Sequence, residues 1–152
     1  MAAVPDRSLS EASRIAQFMG LARWAQMDDL RLVERVETGL PVSAAETIVR
    51  RIDPTRAYLR VQDIIPKATY YRRKEQGKPL TKEQSEKIFA LSRVFHEALR
   101  QYHGDAKTAV LFLTRQHPLL GGRSPFDMAR ESTAGADLVL RVLARAEAGV
   151  AI

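Results

Sequence analysis

Apolar residues recur every three or four positions along almost the whole of this chain, and nowhere do they alternate with polar ones for the length of a strand. That spacing is the mark of helices with one buried face. It predicts an all-α fold. Capping residues, glycines and prolines then cut the pattern into pieces. Ser8 or Ser10 is placed to cap a first helix carrying Leu9, Ile15, Phe18, Met19 and Ala22 on one side. Asp28 or Asp29 starts a second, with Leu30, Val33 and Val36 turned inward, and Gly39 with Pro41 stops it. Ser43 is expected to cap a third, from Ala44 to about Ile52, with Glu46 completing a capping box. Asp53-Pro54-Thr55 reads as the opening of another, running to about Gln62. A short basic helix follows Ile65-Pro66 and ends before Gly77 and Pro79.

The second half is punctuated more sharply. Thr81 caps, Gln84 reaches back, and Ile88, Leu91, Phe95, Ala98, Leu99 and Tyr102 form a core-facing stripe. Gly104 ends that helix, and Asp105 caps another through about Gln116. Ser124 caps again, with Pro125 at the first helical position, where a missing N–H costs nothing. Asp127 suits the positive end of that helix. Gly135 lies near the start of a last helix bearing Leu138, Val139, Val142, Leu143 and Ala146. Gly149 fits a left-handed residue just past its end. The organisation expected is an N-terminal helical extension over 1–27, a helix–turn–helix-like domain over 28–79, and a C-terminal helical domain over 80–152.

A length of 152 residues allows one sizeable core, and an apolar content of 45% argues against disorder. With no cysteine, disulfides, thiolate metal sites and cysteine catalysis are excluded. The longest apolar run, Ala109–Leu113, is far too short to span a bilayer. The first residues carry Asp6, Arg7, Glu11 and Arg14 with no apolar leader core. A reducing cytoplasm is the expected setting, with no membrane partner.

The net charge of +6 is concentrated. Arg56, Arg60, Lys67, Arg72, Arg73, Lys74 and Lys78 face only Asp63 and Glu75 in the same stretch. Such a patch is what a phosphate-backbone binder needs; a solvated basic loop has the same composition. Residues 44–74 read as helix, turn, helix and a further basic, aromatic helix. A helix–turn–helix protein puts the N-terminal side chains of its reading helix on base edges, while basic residues grip phosphates. Lys67, Thr69 and Tyr70 are the base-proximal candidates, and Arg72, Arg73 and Lys74 the phosphate contacts. The alternative is an amphipathic helix packed through Ile65, Ala68 and Tyr71 with no nucleic acid.

No reaction centre is legible. His96 and His103 lie two turns apart on one helix, and His117 precedes a proline, so no closed metal set is formed. Asp127 and Glu131 are better read as helix-end and surface carboxylates than as an acid–base pair. Gly121-Gly122 precedes a helix but follows no strand, so it reads as a turn and not a phosphate loop. No catalytic residue, metal or cofactor is expected.

The chain resembles the Xre–MbcA–ParS group of antitoxins, partners of RES-domain toxins. The resemblance runs from about Leu30 to Ile152. Val36-Glu37-Thr38-Gly39-Leu40-Pro41 looks like the family's G-L-P segment, and Ile65–Lys74 like its recognition-helix segment. Leu80-Thr81-Lys82-Glu83-Gln84-Ser85 looks like the start of its long helix. Leu119–Phe126 and Ala148-Gly149-Val150 look like the turn and the end of its toxin-binding domain. Arg145-Ala146-Glu147-Ala148-Gly149 departs from the family's Ile-Glu-x-Gly ending, and Phe112-Leu113 from its Trp-Leu.

The resemblance implies a type II antitoxin: an Xre-like helix–turn–helix bundle that binds its own promoter, followed by a helical domain seated on the toxin. The toxin would consume or transfer from NAD, and the antitoxin's C-terminal segment would block that NAD site. The toxin-binding candidates are then Arg123, Arg145, Glu147, Gly149, Val150, Ala151 and Ile152, the last three an apolar stub whose terminal carboxylate, helped by Glu147, would mimic a phosphate. A homodimer inside a larger toxin–antitoxin complex is expected. The competing reading is a stand-alone helix–turn–helix regulator.

Overall fold

A computed structural model describes residues 9–149. Among them the regular elements are α1 (Glu11–Phe18), α2 (Asp29–Thr38), α3 (Val42–Ile52), α4 (Lys67–Gln76), α5 (Lys82–Gln101), α6 (Ala106–Thr114), α7 (Pro125–Glu131) and α8 (Thr133–Glu147), with short 3-10 turns at Trp24–Gln26, Val61–Asp63 and Pro118–Leu120. Among the described residues there is no strand, so the all-α reading holds. No helix there is long and apolar enough to cross a membrane.

The fold is built around α5. Its 20 residues make a rod about 30 Å long at 1.5 Å per residue. Ile88, Leu91, Val94, Phe95 and Ala98 are fully buried along it. Helices α1, α2 and α3 pack against it, and so do α6, α7 and α8. Both halves of the chain therefore share one core helix. Its start is the expected capping box: Gln84 N–H donates to Thr81 Oγ1 at 3.2 Å, and Thr81 N–H to Gln84 Oε1 at 3.1 Å. Ser10, Asp28, Asp105 and Ser124 also cap as read, each accepting from the N–H three residues on.

Four local expectations are corrected. Ser43 does not cap α3; the helix starts at Val42 with Pro41 before it. The turn out of α2 is fixed earlier, because buried Leu40 donates its N–H to Ser85 Oγ at 2.8 Å and its carbonyl accepts from Leu80 N–H at 2.8 Å. Glu46 then belongs to no capping box. Leu30 and Val33 are 67% and 52% exposed, and the buried stripe of α2 is Leu32 and Val36. Ala22 lies beyond α1, which ends at Phe18, and is exposed. Finally, residues 53–60 are not helical. Asp53 is buried, and its Oδ2 accepts from Tyr58 N–H at 2.7 Å and Leu59 N–H at 2.9 Å, while Thr55 Oγ1 donates to Oδ1 at 3.3 Å. Burial works to raise this carboxyl, but the N–H groups of Tyr58, Leu59 and Ala57 outweigh it and hold the group below its ordinary value. A carboxylate that gathers amides this way makes a loop, not a helix start.

Candidate functional site

The basic helix α4 begins at Lys67 after Pro66 and ends at Gly77, whose φ is +65°. Tyr70 is its single buried residue. The ring is 7% exposed, and the phenol donates to Glu46 Oε1 on α3 at 2.5 Å. Lys74 Nζ lies 3.0 Å from the same Glu46 oxygen and 3.2 Å from the phenol oxygen. Burial tends to raise the Glu46 carboxyl, but the donors Tyr70 and Lys74, with Arg50 near by, leave it lowered. Burial first and Glu46 second push the Tyr70 phenol up, and the bond to Glu46 raises the Lys74 ammonium. One aromatic ring and one three-membered polar cluster thus clamp α4 to α3.

The sequence-derived DNA candidates separate accordingly. Lys67 and Arg72 are exposed, and Thr69 is half-buried. Arg73 is half-buried and donates from Nη1 to Pro79 O at 2.9 Å. Tyr70 and Lys74 face the clamp. Tyr71, which packs inward only in the alternative without nucleic acid, is 52% exposed, with its ring edge-on to Tyr70 at 5.1 Å between centroids. The buried anchors of this segment are Ile64, Ile65 and Tyr70. Beside α4 runs a groove lined by Arg50 and Glu46 of α3, Arg56, Arg60 and Gln62 of the connecting loop, and Tyr71. Arg56 and Arg60 belong to the basic patch read above but not to the residues assigned to DNA contact, and Arg50 belongs to neither. The signal was the Asp-Pro-Thr turn, which the helical reading of 53–62 concealed.

At the other end, the toxin-side candidates sit on α7, α8 and their approaches. Arg123 precedes α7 and pairs with Glu131. Arg145 is exposed in the last turn of α8. Glu147 accepts from Arg100 Nη2 of α5 at 2.8 Å, and the same guanidinium reaches Glu97 at 2.7 Å. The bond to Glu97 first, then that to Glu147, raises the Arg100 guanidinium well above its ordinary value. Gly149 has the expected left-handed backbone, with φ +79°. Val150, Ala151 and Ile152 lie outside the described residues.

Helix α7 has 7 residues and α8 has 15, so at 1.5 Å per residue α8 runs for about 22 Å against about 10 Å for α7. Its far end is braced by α5 through Arg100 and Glu147. The histidines are dispersed: His96 packs edge-on against Phe18 at 5.6 Å, His117 Nδ1 accepts from Leu119 N–H at 3.2 Å, and His103 is exposed. Burial lowers the His96 imidazole.

These features define a two-part helical protein, with a clamped basic helix in one half and a tight helical hairpin on a shared rod in the other. Residues 31–93 match the antitoxin Xre-like helix-turn-helix domain, and residues 98–149 match the antitoxin Xre/MbcA/ParS C-terminal toxin-binding domain. The chain belongs to the Xre/MbcA/ParS antitoxin family. The two matched regions meet inside α5. No curated protein matches the chain.

Proposed function

We propose that this antitoxin neutralises a RES-domain toxin by laying its C-terminal segment into the toxin's NAD site, and that it binds its own promoter DNA through α4. The observation that carries the first part is the pinned end of α8. The Arg100–Glu147 pair joins α8 to α5 just before Gly149. The pair is solvent-exposed and so worth at most about 1 kcal/mol, but it favours one position for the last turn of α8, and holding a helix end in place lowers the ordering cost of binding there. Arg145 is exposed on the same last turn and faces the toxin surface, while Glu147 acts as the brace. The pairing of Arg123 with Glu131 makes Arg123 a support of the hairpin that also reaches the toxin.

Removing residues 150–152 is expected to abolish rescue of cells expressing the toxin while leaving the melting temperature within about 1 °C, because the last few residues of a domain usually contribute little to stability. Co-expression with a RES-domain toxin and a thermal melt of the purified variant measure the two effects. A truncated chain that still rescues would rule out blocking of the NAD site by this segment.

For the DNA half, Arg72 and Arg73 supply backbone contacts and Lys67 and Thr69 face the bases. A homodimer would present two copies of α4 to the half-sites of a palindrome. The double variant Arg72→Ala, Arg73→Ala is expected to lower the salt dependence of promoter binding by about two, since each lost phosphate contact removes about 0.9 from the slope. Anisotropy of a labelled promoter fragment over a salt series checks it; an unchanged slope would move the DNA surface elsewhere.

A further inference from the structure

We infer that the loop between α3 and α4 is a second phosphate-gripping lobe of the DNA surface, in which Arg50, Arg56 and Arg60 clamp the duplex backbone beside α4. This rests on the DNA-binding reading above and extends it to residues outside the reading helix. The loop spans residues 53–66, where a helix–turn–helix joins its helices by roughly three or four residues. Long connections in compact domains are usually functional.

This one is ordered from within. Asp53 gathers the amides of Tyr58 and Leu59, and Leu59, Ile64 and Ile65 are buried. Arg60 N–H donates to Asp63 Oδ2 at 2.8 Å. Arg130 of α7 donates to the carbonyl of Asp63 at 3.0 Å, tying the loop to the C-terminal half. Arg56 itself is held in a left-handed backbone conformation, with φ +54°. The backbone that carries the cations is therefore fixed before any ligand arrives.

The charges are available. Arg50, Arg56 and Arg60 are exposed, and among the described residues no carboxylate lies within ion-pair distance of them. The one carboxylate in the groove, Glu46, already accepts from Tyr70 and Lys74, so it opposes an incoming anion only weakly. Arginine forks match phosphate oxygens bidentately. Tyr71 at the groove edge offers a hydroxyl to phosphate or sugar. Three unpaired guanidiniums around one groove, continuous with the exposed face of α4, suit a strand of duplex backbone.

The test uses the full chain and its promoter fragment. Arg56→Asn is chosen because asparagine tolerates a left-handed backbone, and it is combined with Arg60→Gln. Affinity should fall about tenfold near physiological salt, and the salt slope should drop by about two. The melting temperature should stay unchanged, because all the altered atoms are exposed. Arg50→Gln should lower the slope by about one on its own. If the parent binds, Arg72→Ala with Arg73→Ala weakens it, and the loop variants bind like the parent, the loop lobe is overturned while the DNA reading stands. No binding by the parent overturns both. A parallel titration with ADP separates duplex from free nucleotide: ADP binding lost in the loop variants, with promoter binding intact, would overturn the duplex assignment.

Discussion

Gly135→Ala is expected to lower the melting temperature by about 6–12 °C. Alanine normally favours a helix over glycine by about 1 kcal/mol, so the sign of this expectation comes from packing. A Cβ at position 135 would lie 2.0 Å from the carbonyl oxygen of Met128 and 2.8 Å from its carbonyl carbon. Both are backbone atoms of α7, which cannot swing aside as a side-chain tip would. The joint leaves no slack either. Ser132 is the one residue between α7 and α8, and its Oγ accepts from Gly135 N–H at 2.9 Å. Relief requires moving α8 off α7, with Ala136 and Val139 drawn from the core. Overpacking of this kind costs about 3 kcal/mol. For a domain of this size each kcal/mol shifts Tm by about 2–4 °C. Ser132→Ala, which removes only the cap, should cost about 1 kcal/mol. Calorimetry of both variants checks the pair; a Gly135→Ala melt equal to the parent's would show that α7 yields freely. The same displacement shifts the braced end of α8, so toxin neutralisation should fall with it.

What the chain shows of itself depends on range. Most helix starts are local devices, and Ser10, Asp28, Thr81, Asp105 and Ser124 were all legible because cap and recipient lie three residues apart. The misreadings arose where a distant residue decides. Asp53-Pro54 has the form of a helix start, and the same carboxylate serves as the hub of a loop once Leu59, Ile64 and Ile65 are drawn into the core. In α2, Leu30 with Val33 and Leu32 with Val36 are two competing stripes, and only the position of α5 chooses between them. Glu46 has the spacing of a capping box, but its partners are on α4.

The candidate site shows the same limit more sharply. Tyr70 and Tyr71 are adjacent, so on a helix one of them must turn in. The reading without DNA packed the helix through Ile65, Ala68 and Tyr71, whereas Glu46 selects Tyr70 for the inward side by accepting a hydrogen bond from its hydroxyl. Arg56 and Arg60 were visible as charge but not as a surface, because a helix over 53–62 would have placed them differently. Family resemblance located both halves of the protein; it could not say which cations are already paired. Arg100 with Glu147, and Lys74 with Glu46, became visible only from the packing.

Gly39→Ala should cost more than Gly135→Ala, because backbone strain adds to the clash. Gly39 has φ +121°, a backbone conformation that alanine enters only at a cost of about 1–3 kcal/mol. Its added Cβ would lie 2.5 Å from the carbonyl oxygen of Leu80 and 3.1 Å from Pro79 Cβ. That contact sits beside the seam that joins α2 and α3 to the start of α5. Leu80 N–H donates to Leu40 O, and Leu40 N–H donates to Ser85 Oγ, both at 2.8 Å. Pushing the Leu80 carbonyl away strains the first bond and leaves the buried Leu40 amide at risk, a loss of about 1–3 kcal/mol by itself. The total is about 4 kcal/mol, or a fall in Tm of about 8–16 °C. Ser85→Ala tests the seam without the steric clash and should cost about 2 kcal/mol, because it strands the Leu40 N–H. The manner of unfolding matters as much as the size. Helix α5 contributes to the cores of both halves, so loosening its start should destabilise α8 as well as α3. Hydrogen exchange on Gly39→Ala should therefore show amides of α3 and α8 losing protection together. If α8 kept its parent protection while α3 lost its own, α5 would be a passive link between two independent units, and damage at the helix–turn–helix seam would spare toxin neutralisation.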